Sequence, residues 1–399
     1  MVSFTLLIVY VIFKRQFIAS KSLDSSLLRE IADSMQPCAG CGVPRVAEKG
    51  YADLKKQGDR EDDSPGSHGV QDTGVEKKVL SVHPSTEVPS SNFTTTNHTD
   101  NLDCILDKLS KPWRRNATNV NQIREIIDRM TNTRDMLILT KSNCKLDERM
   151  QFSVQSNVDY PITEEIYNAI PKYSPFSGKS FGVCTVMGSS GILTNSNCGI
   201  DIDKSDFVFR CNMPPMTEEY VKDVGSKTNL TTANNVAVLG GRYRSLARKY
   251  DQNRFAEDAK AFNGFLWVPL FSVQSGLRFT LQAYRVYKRA PNDRNKLVFA
   301  HPAHLVSVQN FWNELGLLNR MSTGAYLTAA ALSLCQEVHL YGFWPFDRGV
   351  GGRPLGLHYY DDRPIDTAAH DVNKEFLTLV KLHEEGVIRL HTESCTVAV

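Results

Sequence analysis

Residues 181–191 read FGVCTVMGSSG, and this stretch decides the fold. The first seven residues are apolar or β-branched and carry no charge, and a turn of two serines between two glycines follows directly. An uninterrupted apolar run that ends in a glycine turn is typical of a strand buried on both faces of a sheet. We therefore predict a strand at Phe181–Met187, with backbone N–H groups of the turn open to a ligand.

Similar runs follow along the chain and alternate with amphipathic stretches. The sequence predicts further strands at Phe207–Arg210, 265–271, 296–300 and 338–341. Helices are predicted at 277–288, 303–315 and 325–336. Strands that alternate with helices indicate an α/β fold with a largely parallel sheet. Ligands of such sheets bind beyond the C-terminal ends of the strands.

The N-terminal part of the chain is organised differently. Residues 1–13 (MVSFTLLIVYVIF) are apolar but shorter than the roughly 20 residues that span a bilayer. A truncated signal-anchor over 1–16, a signal peptide and an ordinary buried segment all stay open, and we favour the anchor. Residues 17–100 contain a mixed-charge run and a Ser/Thr/Pro-rich run, which cannot bury enough apolar surface to fold. We predict a flexible, glycosylated stem there.

Glycosylation sequons and cysteines both indicate an oxidising lumen. The four sequons begin at Asn92, Asn97, Asn116 and Asn229. The chain has nine cysteines, an odd number, so at least one thiol is free or paired with another chain. For Cys38 and Cys41 we favour a stem disulfide or a dimer link over a redox or zinc motif. Cys104 and Cys144 flank a predicted helix and could pair.

That predicted helix belongs to a helical lead-in over 101–150, in which Ile123, Ile126, Ile127 and Met130 share one face. We assign 151–399 to one α/β domain. The net charge is +2, and no basic stripe with interleaved aromatic residues occurs, so nucleic acid is not an expected partner.

Several short motifs are weak when each is taken alone. The turn at 188–191 and the sequence Ser322-Thr323-Gly324 before a helix both offer backbone N–H groups to an anion, but ordinary turns and capped helices look the same. Asp201 and Asp203 match a metal-binding DxD only superficially. His301 and His304 form an HxxH without a third zinc ligand.

Together, however, the segments resemble the sialyltransferases, glycosyltransferase family 29. Residues 184–212 resemble the large sialyl motif and 322–346 the small one, while 358–361 (HYYD) resemble motif III. His370 with Glu375 resembles the very small motif. All four stand in the family's order. The sequences CNMPP, KDVGSKTNL, LYGFWPF and HYYDD are most similar to α-2,8-sialyltransferases of the ganglioside or short-sialoside type.

The resemblance implies a fold and a set of disulfides. The expected fold is a GT-A-like variant, a single Rossmann-like domain whose mostly parallel central sheet is flanked by helices. Two interlocking disulfides, Cys184–Cys335 and Cys198–Cys395, are implied by the family pattern. Cys211 is then expected to be a buried free thiol.

The resemblance also implies the chemistry. CMP-sialic acid would be the donor, transfer would invert the anomeric centre, and neither metal nor cofactor would be required. His370 would be the general base, and His358 would contact the donor phosphate. The implied donor-binding residues are Ser189, Ser190, Asn212, Asn234, Ser322, Thr323, Gly324 and Trp344. The acceptor would be a sialylated glycolipid or glycoprotein. The enzyme would be a single-pass type II Golgi membrane protein with a luminal catalytic domain, and it could form a homodimer.

Three departures from the family pattern concern donor binding. Ser189 replaces the usual Asn, Asn235 replaces a proline and would loosen its turn, and Leu357 stands where a Tyr is common. Two alternatives stay open. A polysialyltransferase is disfavoured because residues 297–319 contain no Lys or Arg. A catalytically impaired sialoside-binding homologue is supported by Ser189 and opposed by the presence of both His358 and His370.

Overall fold

A seven-stranded parallel sheet organises the part of the chain that the structure describes. The structure is a computed structural model, and it describes residues 96–290, 293–349, 352–361 and 370–396. The predicted anchor at 1–16, nearly all of the predicted stem, Asn92, Cys38 and Cys41 lie outside these residues. Among the described residues, no helix combines the length and apolar character needed to cross a bilayer.

The strands and helices follow one another in alternation after residue 180. The strands are β1 (Arg149–Gln151), β2 (Asp159–Pro161), β3 (Phe181–Met187), β4 (Phe207–Arg210), β5 (Leu230–Thr232), β6 (Gly264–Val268), β7 (Asn295–Phe299), β8 (Cys335–Tyr341) and β9 (Arg389–His391). The α-helices are α1 (Thr96–Ser110), α2 (Ala117–Thr131), α3 (Thr133–Met136), α4 (Glu164–Ala169), α5 (Gly199–Asp203), α6 (Glu218–Val224), α7 (Lys249–Ala259), α8 (Gln274–Arg289), α9 (Pro302–Glu314), α10 (Thr323–Leu334) and α11 (Val372–Glu384). A π-helix spans Asn235–Arg242, and short 3₁₀ turns span Gly191–Leu193 and Arg244–Leu246.

The main sheet has the order β7-β6-β5-β4-β3-β8-β9, and all of its pairings are parallel. β3 lies between β4 and β8, so the strand order reverses at β3. In this register Met187 pairs with Arg210 on one side and with Tyr341 on the other. The last residues of three strands therefore lie side by side, which forms the crevice where parallel sheets bind ligands.

The predicted α/β fold is confirmed, and so are the bounds of β3 and β4. β6 ends at Val268 rather than at 271 because Pro269 has no N–H for the ladder, and Leu270 turns back to donate to Val268. α10 ends at Leu334 rather than at 336. There Cys335 adopts an extended conformation and pairs with Phe181, so the chain passes from helix to strand without a loop.

Helices on both faces of the sheet enclose apolar cores. α2 has Ile123, Ile126 and Ile127 buried, as the periodicity predicted, and Asn116 caps its N-terminus by accepting from two backbone N–H groups. Helix α10 is buried over all of residues 324–334. Its run of small residues (GAYLTAAALSL) allows close packing against α2 and β3.

The structure contains both disulfides of the family pattern. Cys184 is bonded to Cys335, and Cys198 is bonded to Cys395. Cys211 is a buried free thiol, as expected. The suggested pairing of Cys104 with Cys144 is wrong, since Cys104 is disulfide-bonded while Cys144 is a buried free thiol.

Candidate active site

Five of the predicted donor-binding residues, Ser189, Ser190, Asn212, Asn234 and Trp344, lie just after the C-terminal ends of β3, β4, β5 and β8. The turn at 188–191 follows β3, Asn212 follows β4, Asn234 follows β5, and Trp344 follows β8. Backbone bonds fix these segments to one another. The N–H of Gly188 donates to the carbonyl of Tyr341 at 2.8 Å, and the N–H of Ser190 donates to Gly342 at 3.1 Å.

The segment after β8 makes further contacts with the turn after β3. A Cβ at position 188 would collide with the carbonyl oxygen of Gly342, so this position requires glycine. The hydroxyl of Ser190 donates to the carbonyl of Trp344 at 2.9 Å, and its oxygen accepts from the N–H of Ile192 at 3.4 Å, so a ligand can only donate to its second lone pair. The carbonyl of Ser189 accepts from the N–H of Tyr359 at 2.9 Å, and its hydroxyl has no partner in the described part of the chain.

Asn212 and Asn234 are held through their Oδ1 atoms. Oδ1 of Asn212 accepts from the hydroxyl of Thr232 and from the N–H of Asn234, both at 3.2 Å. Oδ1 of Asn234 caps the π-helix by accepting from two N–H groups at 2.9 Å. Both Nδ2 groups lack a protein acceptor among the described residues, so they can donate to a ligand.

The side chain of Asn235 is anchored within the protein. The residue is fully buried, and its Nδ2 donates to the carbonyl of Pro269 at 3.0 Å, while its Oδ1 has no partner among the described residues. This side chain joins the beginning of the π-helix to the end of β6. The amide supplies a bond that proline could not make, and the looser turn stays a prediction.

The N-terminus of α10 is only partly open. The hydroxyl of Ser322 caps the helix by accepting from Ala325, and its N–H donates to Oε1 of Glu375 at 2.6 Å. The N–H groups of Thr323 and Gly324 have no intrahelical acceptor, because they lie in the first turn. A Cβ at 324 would lie 2.6 Å from the ring of Phe343, so close packing with that ring explains this glycine.

Burial raises the pKa of Glu375, and its hydrogen bonds from Ser322 oppose that shift. Its carboxyl group occupies one of the donors that the sequence assigned to an anionic ligand. Two of the three predicted donors at this helix end are therefore left for a substrate.

His370 is oriented by one backbone hydrogen bond. Its Nδ1 lies 2.8 Å from the carbonyl oxygen of Arg320. A carbonyl can only accept, so Nδ1 carries the proton and Nε2 of the neutral imidazole is left with a lone pair. Nε2 has no protein partner in the described residues. The geometry thus gives His370 a free basic nitrogen.

His358 is held by a carboxylate instead. Its Nδ1 lies 2.9 Å from Oδ2 of Asp361, and its ring stacks on Tyr360 with 4.8 Å between centroids and 2° between planes. Because Nδ1 is held by the carboxyl group of Asp361, Nε2 is the ring nitrogen left for a ligand. This arrangement suits a donor to an anion.

Trp344 is enclosed by protein. Its indole N–H donates to the carbonyl of Arg348 at 2.8 Å, and its ring contacts Phe346 and Phe376 edge-on. The ring is 4% exposed, so the group that Trp344 offers to the crevice is its carbonyl, which Ser190 already occupies. These contacts hold the side chain within the protein, and a donor contact of Trp344 stays a prediction.

The two weak metal motifs make structural hydrogen bonds. Asp203 accepts from Ser226 and from the N–H of Lys227, while Asp201 pairs with Lys204 at 2.7 Å. His301 caps α9, and His304 is fully buried with its ring nitrogens bonded to Tyr326 and Thr133 at 2.7 and 3.1 Å. Burial lowers the pKa of His304 to about 3.

The sequons differ in how accessible they are. Asn116 is exposed at the start of α2, with its Nδ2 free of protein partners among the described residues. Asn97 lies in α1. Asn229 is partly buried and accepts from the N–H of Val208, and the hydroxyl residue of its sequon, Thr231, is fully buried in β5. Glycosylation stays a prediction at all of these positions.

One cation of the crevice was missed from the sequence. Arg242, at the end of the π-helix, donates to the carbonyls of Asn212 and Met213 at 3.0 and 2.7 Å. It lies 30 residues from Asn212 along the chain, and no local pattern relates them. Only the fold brings the two together.

Comparison with known proteins supports the same assignment. Residues 138–387 match the family described as glycosyltransferase family 29 (sialyltransferase). The chain is 35% identical over 301 residues to alpha-2,8-sialyltransferase 8F of Homo sapiens, covering 75% of each protein. It is 36% identical over 286 residues to alpha-N-acetylneuraminide alpha-2,8-sialyltransferase of Xenopus tropicalis, covering 71% of this chain and 81% of that one.

A crystal structure of a mammalian sialyltransferase superposes with a TM-score of 0.38 at 21% identity, covering 73% of this chain and 84% of that one. The family match spans well over half of the chain and includes His358 and His370. The chain therefore belongs to glycosyltransferase family 29, the sialyltransferases.

Proposed function

We propose that the protein transfers sialic acid from CMP-sialic acid to a terminal sialic acid of a glycolipid or glycoprotein, in α-2,8 linkage. The linkage is supported by the names of the relatives at 35 to 36% identity, which are α-2,8-sialyltransferases. The observation that carries the catalytic assignment is the bond between Nδ1 of His370 and the carbonyl of Arg320. It fixes the tautomer whose Nε2 can take a proton.

The proposed reaction is a single displacement. The acceptor hydroxyl oxygen attacks the anomeric carbon of the donor, and its proton passes to Nε2 of His370. The bond between that carbon and the phosphate oxygen breaks, and CMP leaves with the electron pair. One displacement inverts the anomeric configuration, and it needs no covalent intermediate.

The leaving phosphate gains negative charge and requires hydrogen-bond donors. We assign this role to His358, whose Nε2–H faces away from its Asp361 contact. The free N–H groups of Thr323 and Gly324 add the N-terminus of α10 as a second set of donors. The partial positive charge there is shared with Glu375, which accepts from Ser322.

Donor recognition is assigned to the turns after β3, β4 and β5. Asn212 and Asn234 each keep a free Nδ2 donor, and Ser190 keeps an accepting oxygen. Ser189 offers one short hydroxyl where the family's usual Asn has a longer arm with both a donor and an acceptor. We expect weaker donor binding from this substitution, and no change of reaction type.

No metal has a role in this mechanism, since the negative charge of CMP is met by His358 and α10. Asp201 and Asp203 make other hydrogen bonds within the fold. We further propose a Golgi enzyme of type II topology, tethered by its N-terminus, with homodimers possible through the stem. Short products are favoured over polysialic acid, because residues 297–319 contain no Lys or Arg.

The test is transfer by the purified chain. CMP-sialic acid is supplied with sialylated glycolipid, N-glycan and O-glycan acceptors in EDTA, and both CMP release and product linkage are measured. We expect α-2,8-linked products of one to a few added residues. Long polymers would instead identify a polysialyltransferase, and acceptor binding without CMP release would identify a sialoside-binding homologue.

The base is tested by His370→Ala. Loss of a general base lowers turnover by about 10²- to 10⁴-fold. CMP binding should be nearly unchanged, because Nε2 acts on the acceptor. Lys374→Ala, an exposed change one turn along the chain, is the matched control and should transfer normally. If His370→Ala keeps more than a few per cent of wild-type turnover, another group is the base.

A further inference from the structure

Arg242 is a cation of the crevice whose hydrogen bonds are all to neutral groups. Its Nη1 donates to the carbonyls of Asn212 and Met213 at 3.0 and 2.7 Å. Its Nη2 lies 3.4 Å from the hydroxyl of Tyr360, and the guanidinium lies 6.0 Å from the centre of that ring. The side chain thus folds back from the π-helix onto the end of β4.

These contacts leave the charge of Arg242 without an acidic partner in the described part of the chain. Some arginines here have an acidic partner, such as Arg285 with Glu165 and Arg134 with Asp128, while others bond to neutral groups, as Arg115 does to the carbonyl of Gln336. The guanidinium also makes a side-chain hydrogen bond with Tyr243, whose hydroxyl donates to Asp258 at 2.8 Å. The bonds resolved atom by atom come from Nη1 and Nη2, and none comes from Nε among the described residues. Nε and Nη2 form one edge of the guanidinium, and that edge matches the two oxygens of a carboxylate.

The backbone around Arg242 is strained on both sides of the contact. Non-glycine residues with positive φ occur in both segments: Asn212 (64°), Met213 (48°), Arg244 (47°), Ser245 (59°) and Leu246 (55°). Such conformations cost about 1–3 kcal/mol each and cluster at ligand sites. The eight-residue π-helix that ends at Arg242 is a further rare element, and π-helical turns are frequent at functional sites.

A bracing role would account for only part of this geometry. The two bonds of Nη1 tie the segment after β4 to the π-helix, and a brace needs nothing more. The edge at Nε and Nη2 is left unexplained by bracing. Tyr360 contacts both Arg242 and His358, so this edge lies one aromatic ring away from the group assigned to the leaving phosphate.

We propose that Arg242 binds the carboxylate of a sialic acid through Nε and Nη2. The inference rests on the proposed function, in which donor and acceptor both carry sialic acid. The sugar has its carboxylate on the anomeric carbon, so a group that holds the carboxylate also orients the ring. Either substrate can supply the carboxylate, and the experiment separates the two.

The experiment compares Arg242→Gln and Arg242→Lys with Arg244→Gln, an exposed arginine of the same turn that serves as the control. The KM of CMP-sialic acid, the KM of a sialylated acceptor and the inhibition constant of CMP are measured for each variant. CMP carries the phosphate but no carboxylate. Thermal unfolding reports whether each variant is folded.

For Arg242→Gln we expect a rise of roughly 10- to 100-fold in the KM of one sialic acid substrate, from the loss of charge-assisted hydrogen bonds. CMP inhibition should not change, and Arg244→Gln should match the wild type. For Arg242→Lys the rise in this KM should be smaller, because lysine keeps the positive charge but cannot donate two parallel hydrogen bonds to one carboxylate. A rise in the KM of CMP-sialic acid shows that Arg242 binds the carboxylate of the donor. A rise in the KM of the sialylated acceptor shows that it binds the carboxylate of the acceptor.

Weaker CMP inhibition would make Arg242 a phosphate ligand and would overturn the proposal. A lower kcat or a lower unfolding temperature with both KM values unchanged would show that Arg242 only holds the segment after β4 against the π-helix. That result would also overturn the proposal. If Arg242→Gln does not fold, the Lys variant carries the same comparison. If the wild type transfers no sialic acid, the proposed function fails, and binding of sialyllactose against its methyl ester still tests Arg242. Equal binding of acid and ester would then refute its role.

Discussion

At the scale of single residues, hydrogen bonds within the protein decide which atoms a substrate can use. His370 donates through Nδ1 and keeps Nε2, and Asn212 and Asn234 accept through Oδ1 and keep Nδ2. The hydroxyl of Ser190 donates to the carbonyl of Trp344. These side chains therefore have one fixed orientation without a substrate, which would make the proposed site pre-organised.

Ser189 is the residue whose change should strengthen donor binding. In Ser189→Asn the longer amide supplies both a donor and an acceptor in place of one short hydroxyl. We expect the KM of CMP-sialic acid to fall severalfold with kcat nearly unchanged, as steady-state kinetics will show. Ser189→Ala is the matched control and should raise that KM slightly. An unchanged KM in both variants would show that position 189 does not touch the donor.

Cys211 should be chemically inert in the folded protein. It is buried, and burial raises the pKa of its thiol to about 12, so almost no thiolate exists at pH 8. We expect no reaction with iodoacetamide before unfolding and full reaction in urea, read by peptide mass. Cys144, buried and with its pKa raised to about 11, should behave alike. Rapid labelling of native Cys211 would contradict its placement.

Sequence reasoning pointed to candidate residues that lie inside motifs and did not point to Arg242, which lies outside them. His358 and His370 come from segments with recognisable patterns of their own. Arg242 follows two glycines in a stretch without such a pattern, and its contact with Asn212 exists only because a π-helix turns the chain back. The role of Glu375 at the cap of α10 was also hidden, since it joins residues 53 positions apart.

At the scale of elements, two disulfides fix the strands that carry the active-site turns. Cys184 lies in β3 and Cys335 begins β8, the strands whose C-terminal turns bond to each other. Cys198 precedes α5 and is bonded to Cys395 near the C-terminus. The first bridge therefore controls the crevice directly, while the second ties down the end of the chain.

Removing the bridges should separate these two roles. Closing loops of 151 and 197 residues contributes about 4–5 kcal/mol each by loop entropy. Both Cys184→Ala/Cys335→Ala and Cys198→Ala/Cys395→Ala should lower the free energy of unfolding by about this amount. Transfer should be lost in the first and retained in part in the second. Cys144→Ala, which breaks no bridge, is the control. Full activity without either bridge would refute the assignment.

Elements of ordinary length were predictable, and very short ones were not. β3 and β4 are continuous apolar runs, and the structure reproduces their predicted bounds. β5 and β9 have three residues each, too few to show a period, and only pairing with neighbours makes them strands. The end of α10 was misplaced because pairing of Cys335 with β3 overrides its helical pattern.

At the scale of the whole molecule, buried histidines make the fold sensitive to acid. Burial lowers the pKa of a group of histidines distributed over both halves of the sheet: His301, His304, His339, His383 and His391. Below about pH 6.5 the unfolded chain binds protons at these residues that the folded chain does not. Stability therefore falls as pH falls through this range.

His304 should account for a measurable share of that loss. Its pKa of about 3 in the fold lies below the ordinary value of 6.5, so its contribution is lost between these two pH values. The slope is at most about 1.4 kcal/mol per pH unit. Urea unfolding at pH 7, 6 and 5 should show a flatter dependence for His304→Gln than for the wild type. Parallel curves would show that His304 is not buried in its neutral form.

The position of β3 in the sheet also determines when its two neighbouring strands become available during synthesis. β3 pairs with β8 on one side, and β8 begins 151 residues after Cys184. As the chain leaves the ribosome, that edge of β3 has no native neighbour, and its cysteine has no native partner, until most of the domain has been made. An open strand edge is a template for pairing with other chains. The nascent protein therefore has to be kept from aggregation and from wrong disulfides until β8 emerges, and chains truncated before Cys335 cannot complete the sheet.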